Sequence, residues 1–148
     1  MDESVKKLKN IVIKNLKKTN ELKNEVGQIK NEKHDQLKDI SKGIIDVLDS
    51  FKRVEERVLK KGYNEVEEAE KTMNRYKSVE KKLLILLRKH GITKIEFPDK
   101  KLIFGLCEVV ETKEAKDRED DEIISIVKNG YIRGKEVIRP AQIIVVKN

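Results

Sequence analysis

Tryptophan is absent from this chain, aromatic residues make up 4% of it, and it contains two prolines and a single cysteine. Each shortage excludes something. With so few rings, 148 residues do not read as one sphere around a thick core. The lone Cys107 cannot build a disulfide framework within the chain and fits a reducing compartment. No apolar run approaches the ~20 residues that span a bilayer, and the opening MDESVKKLKN lacks the apolar core of a signal peptide. A cytoplasmic location with no membrane partner is expected. Charge of one sign is lacking too: the net charge is +7, but 27 acidic residues are interspersed with 34 basic ones, so no uniformly cationic groove and no specific nucleic-acid partner is expected. Lys6, Lys7, Lys14, Lys17 and Lys18 read first as a solvated helix face. The only histidines, His34 and His90, have no serine–aspartate partners in a catalytic spacing, and no glycine-rich phosphate loop is present. No catalytic residue, metal site or cofactor is expected, and nothing in the sequence supports an enzyme.

What the sequence does have is charge, at 41%, and long helical periodicity. From Ser4 to about Lys60 there is no proline, and Val5, Leu8, Val12, Leu22, Val26 and Ile29 recur at alternating steps of three and four, the seam of a helix that pairs with another. At ~1.5 Å per residue such a helix is roughly 85 Å long and needs a partner. Asn15, Thr19, Lys33 and Gln36 interrupt the seam. Polar seam residues fix register at a cost in stability, so this stalk is expected to be specific and to melt before the rest. From Leu37 the stripe widens through Ile40, Ile44, Val47, Leu48, Phe51, Val54 and Val58, as befits a bundle wall that touches more than one neighbour.

Lys61-Gly62-Tyr63-Asn64 breaks the pattern, and Asn64 with Glu67 has capping-box spacing, which predicts a second helix start there. That helix carries Val66, Ala69, Met73, Tyr76, Val79, Leu83, Leu84, Leu86 and Leu87 and stops at Arg88-Lys89-His90-Gly91. After Gly91 the period becomes alternating. Strands are predicted over Ile92–Phe97, Leu102–Val110, Ile123–Val127, Tyr131–Arg133, Glu136–Ile138 and Gln142–Lys147, with tight turns at Asn129-Gly130 and Gly134-Lys135 and an exposed charged loop from Glu111 to Glu122. The fold expected is α+β: a paired-helix stalk (1–36), a helical hairpin that forms a dimeric four-helix bundle (37–91), and a small all-β domain (92–148). The β domain is small for an independent core and is expected to lean on the helices.

Several local sequences add to this. VLDSFKRVEE, LLRKHGITKIE, LCEVVE and KNGYIRGKEVIRPAQIIVV together resemble GrpE, the nucleotide exchange factor of DnaK-type chaperones. The likeness is carried by Asp49, Ser50, Phe51 and Arg53 on the long helix, by Lys89-His90-Gly91 at a helix end, by Gly130-Tyr131, and by Arg139-Pro140-Ala141. The family's phenylalanine-aspartate-proline, spacer, histidine-glutamate-alanine-valine stretch reads Leu102-Ile103-Phe104, Gly105-Leu106, Cys107-Glu108-Val109-Val110 here, which marks a divergent member.

The resemblance implies a homodimer whose parallel stalk places two β domains at one end, and a partner, the nucleotide-binding domain of a DnaK-type chaperone. It further implies partner contacts through Arg53, Phe104, Leu106, Glu108, Arg139 and Pro140. Dimer contacts are expected at Leu22, Val26, Ile29, Ile40, Ile44, Val47 and Phe51. Arg139-Pro140 can also be read as an edge strand with a structural ion pair, since proline lacks a backbone donor. The competing class is a coiled-coil scaffold that presents β modules to another protein or to nucleic acid; it accounts for the periodicity but poorly for the C-terminal matches.

Overall fold

Helix α1 (Glu3–Lys60), a 3-10 turn (Tyr63–Glu65) and helix α2 (Glu67–Lys89) precede six strands: β1 (Ile92–Lys94), β2 (Cys107–Lys113), β3 (Ile123–Lys128), β4 (Tyr131–Arg133), β5 (Glu136–Arg139) and β6 (Ala141–Val146). The computed structural model describes residues 2–148, Asn64 by its backbone alone. The chain falls into two units, one ending at Asp39 and the other running Ile40–Asn148.

The first unit is helical, and its apolar seam is bare. Val5, Leu8, Val12, Leu22, Val26 and Ile29 are all exposed.

In the second unit α1 and α2 run antiparallel, as their contacts require. Ile45 and Leu48 meet Leu83, Leu84 and Leu87 far from the connection; nearer to it the Phe51 and Tyr76 rings pack edge to face at 5.6 Å, and Lys77 pairs with Glu55 at 3.0 Å. The left-handed Gly62 (φ 68) ends α1. Acidic Glu67, Glu68 and Glu70 open α2 and basic Arg88 and Lys89 close it, each favourable for the helix dipole. Gly91 (φ 76) stops it, as the sequence predicts. The start of α2 differs from expectation. Val66, in extended conformation and with no side-chain cap bond, stands at the N-cap, because a 3-10 turn consumes residues 63–65. The capping side chain expected of Asn64 lies outside the described residues.

The widened stripe of α1 turns out to be two stripes. Ser41, Ile45 and Leu48 are buried, the latter two in a cluster with Leu87 of α2 and Ile92, Tyr131 and Ile138 of the strands, whereas Ile40, Val47 and Val54 stay exposed.

Two three-stranded sheets make up the remainder, with orders β1-β4-β5 and β2-β6-β3. The first is antiparallel; in the second, β2 runs parallel and β3 antiparallel to the central β6. Tyr131 and Ile138 of the first sheet, with Ile92, share one core with Ile45, Leu48 and Leu87. Ala141, Ile143 and Val145, alternating along β6, build the other core with Ile123, Phe97, Leu102 and Ile126.

Of the two predicted turns, Gly134-Lys135 joins β4 to β5 with Gly134 at φ 59. Asn129-Gly130 does not make a hairpin, because β3 and β4 belong to different sheets and the segment crosses between them. Gly130 is needed for closeness instead: a Cβ there would lie 2.4 Å from the Ala141 nitrogen. Pro140 occupies the second crossing, from β5 to β6, where a residue without an N–H interrupts no ladder. The strand predicted from Leu102 begins only at Cys107, after a turn. The charged stretch expected to be a loop gives Glu111, Thr112 and Lys113 to β2, an edge strand whose exposed face suits charged side chains.

Candidate functional site

The segment Ile103–Glu108 is where an exposed aromatic meets a tight turn. Leu106 donates its N–H to the Ile103 carbonyl at 3.2 Å, and Gly105 between them takes φ 82, a conformation that suits glycine. Phe104 at the tip is 91% exposed, and Ile103, Val109 and Val110 beside it are also exposed. Glu108 is exposed on β2, and Leu106 is half-buried with its carbonyl accepting the Ala141 N–H at 3.0 Å. An aromatic ring standing in water at the tip of a hydrogen-bonded turn has the form of an interface anchor. At the base of this segment, Lys101 pairs with Glu119; the hydrogen bond and the charge of Lys101 hold the Glu119 carboxyl below its usual range.

Behind the turn lies a polar junction. Arg139 Nη1 donates to Asp49 Oδ2 at 2.6 Å and Nη2 to Oδ1 at 2.9 Å, a bidentate fork from the end of β5 to α1. Nε and Nη2 also donate to the Asn129 carbonyl at 3.2 and 2.8 Å, and the guanidinium lies 5.8 Å from the Tyr131 ring centre. The Arg139 and Asp49 side chains are 19% and 13% exposed, so the pair is largely out of water. One helical turn on, Lys52 Nζ donates to the Ile126 carbonyl at 3.2 Å. Asp49 thus holds the first sheet and Lys52 the second. Burial raises the Tyr131 phenol above its ordinary range, against the lowering influence of Arg139.

The residues singled out from the sequence are therefore placed unevenly. Phe104, Leu106 and Glu108 form one continuous segment, and Arg139 and Pro140 lie just behind it, because Ala141 pairs with Cys107. Arg53 is exposed on α1, its guanidinium bonded to Ser50 at 2.9 Å, away from the turn's own contacts. Among the dimer candidates, Leu22, Val26, Ile29, Ile40 and Val47 are exposed, while Ile44 and Phe51 are half-buried against α2. Val47, Val54, Tyr76 and Val79 around Phe51 make an uncovered apolar face on the hairpin.

The sequence profile of the family described as GrpE matches residues 1–147. The chain belongs to the GrpE family. Among curated relatives, Protein GrpE of Thermotoga maritima is 34% identical over 100 residues, which cover 68% of this chain and 53% of that protein. Protein GrpE of Chlorobaculum parvum is 29% identical over 111 residues, 75% of this chain and 57% of the relative. The chain spans about half the length of the curated relatives it matches. Identity at this level makes it a divergent member of the family, consistent with the altered 102–110 stretch. Two helices followed by small sheets give it the α+β class.

Sequence reasoning named Arg139, with a structural ion pair as one reading of it, and quoted Asp49 and Asn129 in other roles, but it did not join them to Arg139, and it missed Lys52. The helical pattern does not set Asp49 apart from Asp46, which likewise adjoins a buried position of α1 and is 80% exposed. Asn129 acts through its backbone carbonyl, which no side-chain pattern reveals. Among the described residues, no helix is long and apolar enough to cross a membrane.

Proposed function

We propose that this chain is a nucleotide exchange factor for a DnaK-type chaperone. Its match to the GrpE family over residues 1–147 is the observation that carries the reading. A factor of this kind needs no chemistry of its own. It binds the nucleotide-binding domain better when the cleft is open than when it is closed on ADP, and by linkage ADP weakens the factor by the same ratio as the factor weakens ADP. The contact surface in this reading is the Phe104 turn with Leu106 and Glu108, supplemented by Arg53 on α1, with Arg139 and Pro140 as its backing. The anchor-like exposure of Phe104 supports this assignment.

The active form in this reading is a homodimer, divided into a stalk (1–36), a hairpin bundle (37–91) and a β domain (92–148). Leu22, Val26 and Ile29 close the stalk seam, and Ile40, Ile44, Val47 and Phe51 line the bundle. The uncovered apolar positions of both regions support that pairing.

Stopped-flow release of a fluorescent ADP analogue from the cognate chaperone tests the function. Catalytic amounts of the chain accelerate release and leave the hydrolysis step unchanged, and Phe104→Ala loses most of the acceleration while keeping its fold. An ADP off-rate that does not respond to the wild-type chain sinks the proposal.

A further inference from the structure

We infer that the Asp49–Arg139 pair is a positioning device that fixes the Phe104 turn relative to α1, and that Arg139 serves the partner site through this pair rather than by touching the partner. The inference rests on the exchange reading above. Its physical basis is an unbroken series of short contacts. Asp49 on α1 takes the bidentate fork of Arg139 at 2.6 and 2.9 Å. Arg139 is followed by Pro140, whose ring fixes the backbone, and then by Ala141, whose N–H is bonded to the Leu106 carbonyl at 3.0 Å. Leu106 closes the turn that carries Phe104, through its own N–H to Ile103.

Two further features keep this series stiff. Gly130 lies so close to Ala141 that no side chain fits between them, and the Asn129 carbonyl before it takes two donors of the same guanidinium. Arg139 therefore has its Nε, Nη1 and Nη2 engaged inside the chain, and at 19% exposure it has little surface to offer a partner. The guanidinium matters as a planar fork. Lysine keeps the charge but, with three donors on a single nitrogen, cannot reproduce the four bonds that the planar fork makes to Asp49 and the Asn129 carbonyl.

A turn so fixed is preorganised for binding. Loosening it lowers the population of the competent orientation, which weakens apparent affinity by that fraction and leaves the rate of the bound complex alone. The test measures ADP release as a function of factor concentration for Asp49→Asn, Arg139→Met and the double variant, together with amide hydrogen exchange by NMR on the free protein. Each single variant raises the half-saturating concentration roughly tenfold with an unchanged limiting rate, and the double variant is no worse than either, since the two residues act as one unit. The Ala141 amide exchanges faster in all three, while Ile143 and Val145, in the core of the same strand, keep their protection. Asp46→Asn behaves as wild type, since Asp46 lies 3.7 Å from Arg139 and is 80% exposed. Arg139→Lys falls between wild type and Arg139→Met, and it carries the same test if the methionine variant does not fold.

Additive losses in the double variant overturn the inference, for they make Arg139 a contact in its own right. An unchanged Ala141 amide, or an unchanged half-saturation with a faster amide, overturns it as well. A wild-type chain without effect on ADP release removes the exchange reading alone, and the amide data then still decide whether the pair holds the turn.

Discussion

At the scale of single residues, the junction between the two sheets is where small changes have large effects. Gly130→Ala places a Cβ at 2.4 Å from the Ala141 backbone nitrogen and 2.8 Å from Ile95 Cδ1. Backbone on one side cannot yield, so the substitution is expected to destabilise the second unit by about 3 kcal/mol or more, read as a lowered urea midpoint. Tyr131 gives a pH-dependent counterpart. Its phenol is raised by burial, so the folded form holds its proton to higher pH than the unfolded form. Stability is therefore fully present below the ordinary tyrosine range and falls as pH rises from about 10 toward the folded-state value. Urea midpoints between pH 8 and 11 decline for the wild-type chain, and Tyr131→Phe removes that part of the decline. A Tyr131→Phe profile parallel to wild type would refute the assignment.

At the scale of elements, the extent to which the sequence could be read depended on where each element finds its partners. Both helices and the central parts of all six strands were legible, because 3.6-residue and two-residue periods are set by which face is buried. The ends were less so. The strand expected from Leu102 gave way to a turn because Gly105 adopts φ 82, and β2 ran on through Lys113 because an edge strand with an exposed face tolerates charge that reads as loop. Asn129-Gly130 carries a hairpin's sequence at a place where the chain changes sheets, and only the tertiary pairing distinguishes the two. The double stripe of α1 was likewise visible as width but not as two separate faces. Its exposed half yields a prediction. If the proposed homodimer forms through this face, Val47→Asp and Val54→Asp convert it to monomer in sedimentation while leaving the strands' NMR shifts in place, whereas Leu48→Asp, on the buried face, unfolds the second unit.

At the scale of the whole molecule, among the described residues the unit that ends at Asp39 has no buried hydrophobic cluster, whereas Ile40–Asn148 holds two. In the proposed homodimer the first, with its seam polar at Asn15, Thr19, Lys33 and Gln36, is held by pairing, so heating removes helical signal in two steps, the earlier one concentration-dependent. Circular dichroism with a single transition that does not shift with concentration would contradict this. Strand β6 sets a different order for assembly. It lies between β2 and β3 yet follows both along the chain, so the second sheet has no centre until Ala141–Val146 has been made. During synthesis the helices are available to associate long before that sheet can close, and β2 and β3 wait as unpaired edges. A ribosome stalled before Ala141 therefore displays a nascent chain whose two helices are complete while the strand that joins β2 to β3 is still missing.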